Sequence, residues 1–268
     1  MKSNKGDLIS LLKNTQRNAN INGKMIPQVL GCIIECWDEV ARTVMVVRDG
    51  KTSISSFSMP CSHQDAERII IPNIEKVIGA LKAHSEEISI LQTDDKIRIL
   101  SGKKSTTLVA DQRALAFPHT TDTLKDWQMK AQKRFADACL EQNMYKMASG
   151  EMRMPFLITT IAGGALRSAL DAGNINGQKV SRYSFKGEGG GLYVTVGNEM
   201  SGETTILLDD CNCEFEAVFE GGFENIDINT PTMLSFVSFK EEDAGFGLII
   251  DYGCGLPTTG IVFQRSIL

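Results

Sequence analysis

Apolar residues along this chain change their spacing several times, and each change predicts an element. In residues 7–17, DLISLLKNTQR, Leu8, Leu11 and Leu12 fall on one helical face while Lys13 and Arg17, four apart, fall on another. From Val29 to Met59 the pattern turns to strand-like runs, VLGCIIECW, RTVMVVRDG and TSISSFSM, rich in Val, Ile, Thr and aromatics, with RDGK supplying a turn. Helical spacing returns over Asn73–His84: Ile74, Val77, Ile78 and Leu81 form a stripe behind Pro72 and Asn73 as start signals, and Lys76 and Lys82 point away from it. Strands are predicted next in ISILQT, KIRILSG and STTLVAD.

The same order recurs in the second half. Phe156–Leu170, FLITTIAGGALRSAL, places Ile158, Ile161, Ala162, Ala165 and Ala169 on one predicted helical face and Arg167 on the opposite one. Strand patterns follow in KVSRYSF, GLYVTVG, TTILLDD and CEFEAVFE, separated by the Gly-rich turns KGEGGG and NEMSGE. A short fourth helix is predicted in GGFENIDI before Pro231, and then TMLSFVSF, GLIIDYG and TGIVFQ as strands. Leu8 with Leu157, and Asn73 with Gly222, share an offset of 149 residues, so two similar domains, 1–111 and 155–268, are the economical reading. Residues 112–154 differ in character: Leu124, Trp127, Phe135, Cys139 and Leu140 allow a helix capped by Thr121 or Asp122, read as a segment that braces the domains.

Composition narrows the class. With 268 residues, 42% apolar and 23% charged, the chain can bury a substantial core. A net charge of −5 argues against a surface that grips nucleic acid everywhere, although it leaves room for a local basic face. The N-terminal apolar run is broken by Ser10 and Lys13, too short for a signal or a membrane span, so a cytoplasmic protein without membrane contact is expected. Seven cysteines, an odd number, are read as reduced thiols.

Catalytic patterns are missing. SGKKST lacks the upstream Gly of a phosphate loop, and GEGGG lies between two strand patterns, where a hairpin turn is expected. His63, His84 and His119 are widely spaced and read as surface or turn residues, and Cys211 with Cys213, one residue apart, as buried thiols on one strand face. Asp209 with Asp210, and Asp94 with Asp95, read as solvated turn carboxylates. No enzyme activity, metal or cofactor is expected.

The order of helix, strands, helix, strands, once repeated, with IPNIEKVIGALKAHSEEISILQTDDKIRILSGKKSTTLVAD in the first half and EFEAVFEGGFENIDINTPTMLSFVSFKEEDAGFGLIIDYGCGLPTTGIVF in the second, resembles the DNA sliding clamps of T4-like bacteriophages and proliferating cell nuclear antigen. The resemblance implies an α+β clamp fold of two similar domains, each with antiparallel sheets and two short helices. Three chains would close into a ring around duplex DNA, bound without regard to sequence. The clamp would tether a DNA polymerase, raise its processivity and be placed by a clamp loader, in host cytoplasm if viral. Lys13, Arg17, Lys76, Lys82 and Arg167 would meet phosphates. Pro231, Met233 and Phe263 would line a pocket for partner peptides, or simply belong to the core of the last hairpin. Ring closure needs a head-to-tail pairing of edge strands, with Ser105–Asp111 and either GLYVTVG or TTILLDD as candidates. A β-rich structural or assembly protein would share the strands without needing inward basic helix faces. A single-stranded DNA-binding protein would need stacking aromatics, which are 7% of the chain and absent from the lysine-bearing faces.

Overall fold

The computed structural model describes residues 1–17, 20–21, 24–25, 31–37, 39–48, 52–62, 67–93, 96–109, 140–141, 144–146, 152–174, 182–198, 202–221, 223, 226–239, 245–252 and 259–266. The first half runs β1 (Lys2–Asn4), α1 (Lys5–Arg17), the short pair β2 (Asn20–Ile21) and β3 (Lys24–Met25), β4 (Cys32–Trp37), β5 (Val40–Arg48), β6 (Thr52–Pro60), β7 (Glu67–Ile71), α2 (Ile74–Leu81), β8 (Glu87–Thr93), β9 (Lys96–Ser101) and β10 (Lys104–Val109). A small sheet of β11 (Leu140–Glu141), β12 (Met144–Lys146) and β13 (Met152–Arg153) follows. The second half runs β14 (Leu157–Ala162), α3 (Gly163–Asp171), β15 (Arg182–Glu188), β16 (Gly191–Asn198), β17 (Gly202–Asp210), β18 (Phe215–Glu220), β19 (Pro231–Phe239), β20 (Gly245–Tyr252) and β21 (Thr259–Arg265).

Alternation makes the strands. In β9, Ile97 and Ile99 are fully buried while Lys96 and Arg98 face solvent, and in β18, Phe215, Ala217 and Phe219 turn inward between Glu216 and Val218. The helices are short because their apolar stripes are short: Leu8, Leu11 and Leu12 in α1, and Ile74, Val77, Ile78 and Leu81 in α2, are buried against the sheets. In the second half, Phe156, Phe185, Phe215, Phe219, Phe223, Phe236 and Phe246 meet one another at centroid distances of 5.0–6.4 Å, mostly edge-on or tilted.

The sheets show the repeat directly. One four-stranded sheet is ordered β1-β8-β9-β10 and another β17-β16-β15-β18, while an eight-stranded sheet runs β14-β19-β20-β21-β6-β5-β4-β7. Strand by strand, β14-β19-β20-β21 repeats β1-β8-β9-β10, and β6-β5-β4-β7 repeats β17-β16-β15-β18. The eight-stranded sheet therefore joins the halves through a single antiparallel seam, β21 on β6, with Thr259 opposite Ser58 and Gln264 opposite Ser53.

Several expectations are corrected. Leu157–Ala162 is a strand, and the helix begins only at Gly163: the β-branched run Ile158-Thr159-Thr160-Ile161 alternates and pairs with β19, which leaves Ile158 exposed. Leu8 and Leu157 are thus not equivalent, and the repeat is framed by the strand-to-helix steps at Asn4–Lys5 and Ala162–Gly163. The expected fourth helix is not formed among the described residues. Asp227 Oδ1 accepts the Asn229 N–H at 2.8 Å, a side-chain turn that competes with helix, and Pro231 then opens β19. The turn lies directly on α3, where Gly163 N–H donates to Thr230 O at 3.1 Å. Leu140 belongs to a strand, and the rest of the helix expected from Thr121 lies outside the described residues. Gly189 and Gly190, with φ of 59° and 91°, make the GEGGG segment the β15–β16 hairpin turn, as expected.

Candidate nucleic-acid interface

α1 and α2 lie side by side, joined by Gln16 Nε2 donating to Glu75 Oε1 at 2.9 Å. Thr15, buried on α1, donates to Leu11 O at 2.8 Å and shares a 2.6 Å hydroxyl contact with Thr43 on β5, which fixes the helix to its sheet. Asn73 caps α2 by accepting the Lys76 N–H at 2.9 Å. With their apolar stripes committed to the core, the two helices leave Lys13, Lys76 and Lys82 exposed. The side chain of Arg17 lies outside the described residues.

Arg167 is not part of that group. It sits on α3, which packs on second-half strands, and it is half-exposed. Its Nε pairs with Asp171 at 3.0 Å, one turn along, and its Nη1 donates to Phe223 O at 3.3 Å. Four of the five candidate cations thus lie on, or at the end of, the neighbouring helices α1 and α2, and the fifth, Arg167, lies on the helix of the other half.

Among the described residues, β10 and β17 each pair on one side only, with β9 and β16 respectively. Of the two second-half candidates for a joint edge, β16 is interior and β17 is the edge. Both free edges expose an aliphatic side chain, Val109 at 55% and Leu207 at 57% relative accessibility. Their charges differ in sign: Lys103 and Lys104 stand at the start of β10, and Asp209 and Asp210 at the end of β17.

Pro231 is exposed at the start of β19 and Met233 is half-buried. Met233 stands opposite Asp251, which stands opposite Ile261 on β21. Phe263 lies two residues along β21, opposite Ile249, and its side chain is outside the described residues. The three partner-site candidates thus share one stretch of sheet. Asp251, unremarked in the sequence, is in the middle of it, and burial raises its pKa above the ordinary aspartate value.

Sequence reasoning also missed His84. It is 4% exposed, with Nδ1 2.7 Å from Ser101 Oγ and Nε2 2.8 Å from Thr106 Oγ1, so it is neither a surface nor a free turn residue. The signal was its spacing: residues 77, 81 and 84 continue the apolar stripe of α2. Cys211 and Cys213 are likewise not strand residues. They lie between β17 and β18, where Cys211 Sγ accepts the Cys213 N–H at 3.4 Å, and both are free thiols. Cys32, Cys36 and Cys61 are buried thiols, and burial pushes the Cys32 thiol up to about 12.

No protein-family model matches the sequence, and no curated protein matches it either. Solved structures do match. The chain superposes on a DNA polymerase sliding clamp from Pseudomonas aeruginosa with a TM-score of 0.63 at 14% identity, covering 98% of this chain and 66% of that one. The sliding clamp from Caulobacter crescentus gives 0.62 at 16% identity, covering 98% and 64%. The DNA polymerase III beta chain from Streptococcus pneumoniae gives 0.61 at 11%, covering 100% and 64%. The chain thus has the α+β fold of the DNA sliding clamps. Its matches here are bacterial beta clamps, of whose length it spans about 65%.

Proposed function

We propose that the protein is a sliding clamp that encircles duplex DNA and tethers a DNA polymerase, raising its processivity without catalysis of its own. The observation that carries this reading is the seam within the chain. β21 pairs with β6, and the strands that repeat them in the other half, β10 and β17, pair on one side only among the described residues. A second copy that sets its β17 against β10 repeats the internal seam, and a repeated head-to-tail seam closes a ring where its turn divides a full circle. In the antiparallel sense of that seam, Lys103 and Lys104 of one copy approach Asp209 and Asp210 of the next.

On this reading the ring holds three copies, each with two halves that repeat the same sheet order. The proposed ring is then of the T4-like and cellular subtype, each chain contributing two similar domains, 1–111 and 155–268. Lys13, Arg17, Lys76 and Lys82, with Arg167 on α3, form the phosphate-facing side, whose contacts read no bases and permit sliding. Pro231, Met233 and Phe263 serve as the seat for polymerase or clamp-loader peptides.

The test is topological. The protein is expected to have a trimer's mass in solution and, once loaded, to stay on nicked circular duplex at high salt and leave when the circle is cut. Equal retention on circular and short open linear duplex would sink the encircling reading.

A further inference from the structure

β10 is held from within by unusually few apolar groups. Its inward side chains include Thr106 and Leu108, both only partly buried, whereas neighbouring β9 presents fully buried Ile97 and Ile99. Polar struts take their place, and they lead to one spot, the C-terminal end of α2. Lys104 Nζ donates to Ala83 O at 3.0 Å, and Lys5 Nζ donates to His84 O at 2.9 Å. The His84 ring spans Ser101 at the end of β9 and Thr106 on β10, and Ser101 Oγ also accepts the Ser85 N–H at 3.3 Å. Each ring nitrogen faces a hydroxyl that can donate or accept, so both contacts depend on the ring keeping its place between β9 and β10. The helix that carries Lys76 and Lys82 and the strand that has a free edge are therefore fastened to each other by side chains rather than by packing alone.

We propose that His84 is a positioning residue: it holds β10 in the geometry that a second copy of the chain pairs with, and it links that strand to α2. Phosphate contact on α2 and closure of the joint then reinforce each other, because a helix and strand fastened together favour one arrangement jointly. The inference rests on the ring reading above. It adds to it a residue through which duplex in the ring slows opening of the joint.

The two amide replacements separate the two bonds. His84→Gln sets a polar atom near the place of Nε2 and keeps the link to Thr106. His84→Asn sets one near the place of Nδ1 and keeps only the link to Ser101. Thr106→Val removes the strand's hydroxyl and preserves its shape. Subunit dissociation constants from mass measurements over a dilution series are expected to stay within about threefold of the natural protein for His84→Gln, and to rise about tenfold or more for His84→Asn and Thr106→Val. Nicked circular duplex is expected to slow subunit exchange in the natural protein and in His84→Gln, but not in the other two. Equal association and equal slowing in all four proteins would overturn the proposal while leaving the ring intact. A natural protein that stays monomeric at every concentration would overturn the ring itself, and with it this role. Thr106→Val decides the matter should His84→Asn fail to fold.

Discussion

Gly163→Ala and Gly79→Ala make the same chemical change at two helices and are expected to act in opposite directions. A Cβ at Gly163, the first residue of α3, would lie 1.9 Å from Asp227 O and 2.3 Å from Thr230 O, both backbone atoms, where ordinary contact begins at 3.4 Å. The turn from Asp227 to Thr230 would have to withdraw by more than about 1 Å and strain the Gly163 N–H bond to Thr230 O, so the cost belongs at or above the upper end of overpacking, about 3 kcal/mol. At Gly79, exposed within α2, an added Cβ meets nothing within 4 Å, and the gain in helix propensity is about 0.5–1 kcal/mol. The two variants should therefore differ by roughly 4 kcal/mol, which corresponds to about 10 °C in melting temperature for a chain of this size. Thermal melts followed by circular dichroism under one set of conditions measure this. A Gly163→Ala protein that melts within a degree or two of the natural one would refute the close seating of the turn on α3.

Three further expectations follow from the same geometry. Leu207→Lys removes an exposed aliphatic from the β17 edge whose burial in a joint is worth about 1 kcal/mol, and sets a cation where Lys103 of the next copy approaches. Sedimentation should show weaker association with an unchanged melt of the dilute protein, and equal association would remove β17 from the joint. Changing Lys13, Lys76 and Lys82 together to Ala should lower the steepness of the log affinity against log salt plot for duplex by roughly 0.9 per lysine that meets a phosphate, and an unchanged slope would place the duplex elsewhere. Asp251→Asn should stabilise the protein at neutral pH. The folded-state pKa is raised, so the ionised form is disfavoured by folding: the penalty is full above the folded pKa, fades as pH falls through it, and is gone below the unfolded value. A stability advantage of the Asn variant that grows on acidification would contradict the sign.

Much of the fold was legible in the chain because two different periods marked it. The i, i+3, i+4 stripe of Ile74, Val77, Ile78 and Leu81 and the strict alternation in KIRILS each have one physical reading, and both elements formed. Where the signal failed, a longer-range partner decided. FLITTIAGG holds enough Ala and Ile to mimic a helical face, but β19 was available to pair with it. Among the described residues of GGFENIDI the Asp-Ile-Asn turn is seated on Gly163 instead, a contact between residues more than 60 positions apart. The candidate site divides in the same way. Exposed lysines opposite an apolar stripe follow from helix geometry alone, whereas the Arg167 pairing, the burial of His84 and the raised carboxyl of Asp251 depend on neighbours brought in by the sheets.

The β21–β6 seam also bears on compliance. Because backbone hydrogen bonds cross it along six paired residues, the halves cannot swing apart about a flexible hinge without breaking a ladder, and bending within the chain is limited to the elastic twist of one continuous eight-stranded sheet. Each chain then behaves as a stiff arc, and in the proposed ring a gap that admits a duplex is expected to form at its ends.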